Sequence, residues 1–161
     1  MPATPIATSS RYYAVGTTKY IYALTVANPA APTRAEINAG TDLSPEIAEV
    51  SGFMVKSEQI PTKDIDNRFV SKIPGDINAE DSALKFYASS DSVDVRALLP
   101  RDTIGYVLRM DGGDVAGRKM DVFPIKVAAL SKDMGTGTNA ATIEVQFTIT
   151  DPPQENLVIP A

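Results

Sequence analysis

The sequence predicts a mainly β fold of roughly seven or eight strands and one helix. Three features carry that expectation. Apolar and polar residues alternate with period two through several stretches, turn residues separate those stretches, and only one stretch has the helical period. The clearest alternation is DVFPIKVAALSKDMGTGTNAATIEVQFTIT, from Asp121 to Thr150. Phe123, Ile125, Val127 and Ala129 share one face of a first strand, and Ile143, Val145, Phe147 and Ile149 one face of a second. Lys126, Thr142, Glu144, Gln146 and Thr148 lie opposite. An antiparallel sheet of this kind is half-buried: its apolar face covers a core, and its polar face meets water or lines a cavity.

The elements follow in order. Residues 1–14, rich in Pro, Ala, Ser and Thr, read as an arm. KYIYALTVAN is a strand with Tyr20, Tyr22, Leu24 and Val26 on one face. In the turn-rich PAAPTRAEINAGTDLSPE, Thr33 is placed to cap one short helical turn through Ala35, Glu36 and Ile37 that stops at Gly40; an irregular loop fits equally well. Val50 to Gln59 reads as a strand in which Gly52 marks a bulge or a close backbone approach. PTKDIDN is a polar loop, RFVSKIPG a strand, DINAED a loop, and SALKFYASS a strand with Leu84, Phe86 and Ala88 on one face.

The period then changes. Val95, Leu98 and Leu99 fall at i, i+3 and i+4, with Ser90 or Asp91 as N-cap, Asp94 near the positive end of the dipole and Pro100 as terminator. TIGYVLRMDGGD is a strand with Ile104, Tyr106, Leu108 and Met110 on one face, followed by a glycine turn. Residues 151–161, DPPQENLVIPA, read as a second arm that packs against something. Pro124 cannot donate to a ladder, which places it on an edge or at a bulge. The expected core holds Phe86, Leu98, Phe123, Ile125, Val127, Val145 and Phe147. A chain of 161 residues without internal repeats fits one domain, residues 1–161.

Composition narrows the function classes. The chain has no Cys, no His and no Trp. Disulfides, a thiolate nucleophile, Cys-ligated zinc, the Ser-His-Asp triad and the commonest metal ligand are therefore excluded. A formal charge of −5 disfavours nucleic-acid binding, which rests on Lys and Arg neutralising phosphates. No apolar run reaches the ~20 residues of a membrane helix, and MPATPIATSSRYY has neither the basic nor the apolar region of a secretory signal. DGGD (Asp111 to Asp114) lacks calcium-loop spacing and the Lys of a phosphate loop, and reads as a turn. GTGTN is a loop tip, and KDIDNR a solvated charged loop. No catalytic, cofactor or metal site is expected.

The order of AEINAGTDLS, AEVSGF, RFVSKIPG, AEDSALKFYASSDSVDVRALLPRDTIGYVLRMDGGD, MDVFPIKVAALSKD and AATIEVQFTITDPPQEN resembles the tail tube (major tail) proteins of long-tailed, non-contractile bacteriophages, closest to those infecting actinobacteria. The resemblance spans about residues 10 to 160 and is most specific from Leu84 to Asp133. It implies a tail-tube fold: two packed antiparallel sheets, a β-sandwich or partial barrel, with one short flanking α-helix. It implies a homo-oligomer of hexameric rings stacked into a hollow tube, with a tape-measure protein inside and tail-tip and tail-terminator proteins at its ends. DNA would be in transit and unbound, no membrane would be involved, and the subunit would be made in the host cytoplasm and reside in the virion tail.

On that resemblance the bore is expected to be lined by Val50–Gln59 paired with Asn67–Ile73, together with Ile104–Met110 and Val122–Leu130. Lys56, Glu58 and Lys72 share the polar parity and become candidate lumen residues. The loop Ile60, Pro61, Thr62, Lys63, Asp64, Ile65 and Asp66 is expected to bridge rings. Two other readings compete. One is a monomeric β-sandwich binding module, a capsid decoration protein or adhesin, which would expose Tyr12, Tyr13, Tyr20 or Tyr22; a tube subunit would bury most of them. The other is a carboxylate-only enzyme, which needs a pocket with two convergent acids.

Overall fold

The computed structural model describes residues 3–161. The strands are β1 (Lys19–Ala23), β2 (Thr41–Asp42), β3 (Ile47–Ser51), β4 (Val55–Thr62), β5 (Ser71–Ala79), β6 (Ser82–Tyr87), β7 (Ile104–Met110), β8 (Lys119–Asp133), β9 (Thr142–Ile149) and β10 (Gln154–Val158). Two short helices, α1 (Arg34–Ala39) and α2 (Val95–Leu98), flank them. The fold is thus mainly β, with two antiparallel sheets. One has eight strands in the order β2-β1-β7-β8-β9-β6-β3, with β10 also pairing β8; the other is the hairpin β4-β5.

β8 organises the large sheet. Its first half pairs with β7 on one side and β10 on the other, and its second half pairs with β9. Alternate side chains of the first half enter different cores. Phe123, Ile125 and Val127 join Tyr22, Val107, Leu84, Phe86, Val145 and Phe147 on one face. Met120 and Val122 join Ile21, Leu108, Met110, Ile37 and Ile159 on the other. The region expected to be half-buried is therefore covered on both faces, the second by α1 and the C-terminal segment. Beyond Val127 a register shift turns the strand, and β9 keeps the expected alternation, with Ile143, Val145 and Phe147 inward.

Both helices are short. In α1 the Thr33 side chain accepts from the Glu36 N–H while the Glu36 carboxylate accepts from the Thr33 N–H, a complete capping box that fixes the turn and delivers Ile37 to the second core. α2 differs from expectation. Asp94 caps it, rather than Ser90 or Asp91, through a bond from the Arg96 N–H. Leu98 is not a core residue: it is 36% exposed, whereas Leu99 is fully buried. The helix lasts only four residues, and at Leu99 the backbone leaves helical geometry (φ −121°, ψ 63°), so the turn delivers Leu99 to the core and leaves Leu98 at the surface.

Residues 151–161 pack against the body: β10 pairs with β8, and Ile159 is buried. Three further expectations change. Pro124 lies in a central strand, opposite Tyr106. Its carbonyl accepts from the Thr150 N–H, so its nitrogen points the same way, into the break between β9 and β10 where no ladder donor is required. The stretch from Val50 to Gln59 is two strands, because Gly52 (φ +75°) and Phe53 (φ +56°) are both left-handed. A Cβ at Gly52 would sit 2.3 Å from the Asp81 carbonyl oxygen, so only glycine fits that close approach. The DINAED loop is displaced as well, since Asp76 to Ala79 belong to β5.

Phe53, absent from the expected core, is at its centre. Its ring meets Phe123 edge-on at 5.3 Å, Phe147 at 5.9 Å and Tyr20 at 6.1 Å. Phe147→Ala removes one of these contacts and opens a cavity beneath β9. Chemical denaturation should show a loss of about 3–5 kcal/mol, and a near-neutral result would contradict the inward parity of that strand.

Surface ion pairs add a pH dependence. Arg34 donates to both Asp114 oxygens, at 2.5 and 2.6 Å, and this contact lowers the Asp114 pKa. A carboxylate depressed in the folded state stabilises it above the unfolded pKa of about 4, and that contribution disappears as pH falls through the folded value. Denaturant titrations of Asp114→Asn should therefore lose part of the stability difference that the parent chain shows between neutral pH and pH below about 4. An unchanged difference would rule out the pair as a source of acid sensitivity.

Candidate assembly surface

The strands β3, β4, β5 and β6 form one long hairpin with a break in the middle. β3 pairs with β6 down to Ser51↔Ala83, and β4 resumes pairing with β5 at Val55↔Ala79. The stem belongs to the eight-stranded sheet; the distal half leaves it at Gly52–Phe53 and forms its own two-stranded ribbon. Nearly every residue of that ribbon is exposed, including Ile60, Ile73 and Ile77 (72%), and Phe69 at its tip is 72% exposed. Among the described residues, each ribbon strand has one unpaired edge, and so does β3.

The ribbon's geometry relocates several expected residues. Ile60, Pro61 and Thr62 lie in β4, while Lys63, Asp64, Ile65 and Asp66 lie in the turn at the tip. That turn has internal order: the Asp64 carboxylate accepts from the Asp66 and Asn67 N–H groups, and the Asn67 side chain accepts from the Phe69 N–H. Arg68 to Val70 belong to the tip and not to a strand. Lys56 and Glu58 share a face, but Lys72 lies on the other. Ser57 pairs with Ile77 and Gln59 with Pro74, so Gly75 and Asp76 together oppose Glu58. This bulge inverts the parity of β5 beyond it.

The other expected bore strands are unsuitable along much of their length. In β7, Val107 enters one core and Leu108 and Met110 the other. In β8, Val122 to Ile125 are buried. What remains free is the outer face of β3-β6-β9. There Lys85 pairs with Glu49 at 2.8 Å and approaches Glu144 at 4.0 Å, a charged row across three strands. The polar alternation in β9 signalled this face; the break at Gly52–Phe53, where the ribbon leaves the stem, has no such periodic signal.

Charge is unevenly divided. Residues 55–79 carry Lys56, Lys63, Arg68 and Lys72 against Glu58, Asp64, Asp66 and Asp76, so the ribbon is neutral and the net −5 belongs to the rest of the chain. Of the four tyrosines a binding module would use, Tyr22 is buried, Tyr20 packs beside Phe53, and Tyr12 and Tyr13 are exposed on the N-terminal arm. Phe86, Phe123, Ile125, Val127, Val145 and Phe147 all lie in the first core.

An open groove of about 480 Å³ lies between β2, β6 and α2, lined by Leu43, Phe86, Val95 and Leu98 and rimmed by Asp42, Glu46 and Asp94. The Asp94 pKa is lowered, chiefly by its bond from Arg96. Among the described residues no group of three potential ligands is placed to hold a metal, and no helix is long and apolar enough to cross a membrane.

No curated protein matches the chain. Among solved structures, a chain from "Cryo-EM structure of the anti-feeding prophage (AFP) baseplate, 6-fold symmetrised" is similar in fold, with a TM-score of 0.53 at 14% identity, covering 93% of this chain and 95% of that one. The family model described as "Phage tail tube protein" matches residues 6–161, which takes in both sheets, the exposed ribbon and the C-terminal strand. With the match running through every element described above, the chain belongs to the phage tail tube protein family.

Proposed function

We propose that six copies of this subunit close into a ring and that rings stack into the hollow tail tube of a long-tailed, non-contractile phage, of the kind infecting actinobacteria. DNA passes through the bore on its way into the host. A tape-measure protein occupies the bore beforehand, and tail-tip and terminator proteins cap the ends. The observation that carries the reading is the β4-β5 ribbon. An isolated two-stranded hairpin is marginal in water, and its open edges are templates for pairing with another chain. Here the edges are unpaired among the described residues, and Ile60, Phe69, Ile73 and Ile77 are exposed along the ribbon. Neighbouring copies supply the missing partners.

The contact is of the head-to-tail kind, because a projecting ribbon and the surface that receives it are different patches. Repetition of such a contact generates a ring or a helical filament. Closing the strands into a barrel then removes the edges altogether. In this reading the bore wall is made by the ribbon and by the polar outer face of β3-β6-β9, which replaces the β7 and β8 faces buried in the cores. The acid excess lies off the ribbon, so repulsion of DNA depends on Glu49 and Glu144, and screening limits it to about 8 Å at physiological salt.

The tip loop, Lys63 to Asp66, bridges to the next ring. Its exposed charge pairs are worth about 0–1 kcal/mol each, but repetition around a ring sets register. Electron microscopy of the purified protein at high concentration, with and without isolated tail tips, tests the reading. Hollow filaments of stacked rings are expected. Persistent monomers in the presence of tail tips would favour a decoration protein or adhesin. Lys63→Asp combined with Asp64→Lys should hinder stacking while leaving the far-ultraviolet circular dichroism unchanged, and normal tubes from that variant would remove the tip from the ring contact.

A further inference from the structure

From the contacts around the break in the long hairpin, we infer that Arg109 is the positioning residue that sets the angle at which the β4-β5 ribbon leaves the body, and that Asp121 ties this setting to the docking of β10. The break is held from both sides. The Phe53 N–H donates to the Ser82 hydroxyl at 2.9 Å, and the Phe53 carbonyl accepts from Arg109 Nη1 at 3.0 Å. Arg109 is on β7, at a sequence distance of 56 residues, and its guanidinium lies over the Phe123 ring at 5.5 Å from the centroid. It thus grips a left-handed backbone unit from the rigid centre of the large sheet.

Asp121 holds the other side of the same guanidinium. Its Oδ2 accepts from Arg109 Nη2 at 2.5 Å, and its Oδ1 accepts from the backbone N–H of Asn156 at 2.7 Å. Asn156 is itself left-handed (φ +59°) and lies in the register shift of β10. One chain of hydrogen bonds therefore runs from the C-terminal strand through Asp121 and Arg109 to the carbonyl at the root of the ribbon. Arg109 Nε is buried without a hydrogen-bond partner among the described residues; the Asp111 carboxylate lies 3.1 Å away but outside hydrogen-bond geometry. A guanidinium kept in place with one donor unsatisfied is oriented by its other contacts, and those contacts are the ribbon root, Asp121 and the Phe123 ring.

The inference rests on the ribbon being the assembly arm only for its biological meaning; the positioning itself is measurable in the monomer. The chain has no cysteine, so Lys63→Cys with Thr148→Cys places one spin label on the tip and one on the body. Electron–electron double resonance on the parent should give a single narrow distance peak. Arg109→Met and Asp121→Asn should each lose that peak to a broad distribution, and the double variant should be no broader than Arg109→Met alone. Arg34→Gln, which breaks a comparable ion pair elsewhere, should keep the narrow peak.

A narrow peak in folded Arg109→Met would overturn the inference, and so would equal broadening in Arg34→Gln. If Arg109→Met does not fold, Asp121→Asn decides in the same way. The same variants are then imaged for tubes. Broad distances with normal tubes would uphold the positioning role and count against the ribbon as the assembly arm, whereas narrow distances refute the positioning role whether or not tubes form.

Discussion

The structure depends on the burial of Phe53. A left-handed backbone costs a non-glycine residue roughly 1–2 kcal/mol, and Phe53 adopts it immediately after a left-handed glycine. Burying a phenylalanine side chain returns about 1.5–3 kcal/mol, and an aromatic edge contact adds about 0.5–1.5 kcal/mol. Phe53 makes such contacts with Phe123 and Tyr20 and a tilted one with Phe147. Packing outweighs strain, and the kinked hairpin is the stable form. Without that anchor, nothing would oblige β3 and β4 to part, and the stem and ribbon would form one straight ladder.

The anchor works because the surface beneath it is rigid. β1, β7 and the first half of β8 are packed on both faces, with Phe123 and Val107 on one side and Met120, Leu108 and Ile37 on the other. Strands fixed on two faces cannot tilt to accommodate a moving loop. The second face is completed by the C-terminal segment, through Ile159 and the pairing of β10 with β8. The end of the chain therefore contributes to the stiffness of the platform that carries the ribbon, although it is far from it in sequence.

Much of this was legible from residue patterns, and the failures have definite causes. β9 was readable because it is buried on one face, so Ile143, Val145 and Phe147 alternate cleanly with Glu144 and Gln146. The short turn of α1, capped by Thr33 and stopped at Gly40, was one of two readings the sequence left open beside an irregular loop, and the Glu36 side of its capping box decides between them. Leu98 was misplaced because helical spacing assigns a face only while a helix continues, and α2 stops after one turn. Lys72 was assigned to the wrong face because a bulge adds one residue to one strand and inverts every side chain beyond it. Pro124 was assigned to an edge or bulge because the sequence does not show that the neighbouring strand would be interrupted beside it. Phe53 was missed because a loop position has no period. The proposed assembly surface was legible only as a charged loop, since the ribbon's apolar residues are scattered along two strands that share no core.

In the proposed tube, the ribbon's composition bears on how premature assembly would be avoided. Its apolar side chains are exposed, which ordinarily invites association, yet Lys56, Glu58, Lys63, Asp64, Asp66, Arg68, Lys72 and Asp76 are interspersed among them in balanced number. Charges along open strands are a common defence against indiscriminate pairing. They make a mismatched edge unfavourable while a matched one can still pair opposite signs, so they favour specificity over strength. The body, carrying the whole net charge, repels other bodies through solution at low salt. Only a partner presented in the correct register overcomes both effects. A neutral, patterned arm on an acidic body is thus suited to slow spontaneous nucleation and ready addition to an end that already displays the right surface.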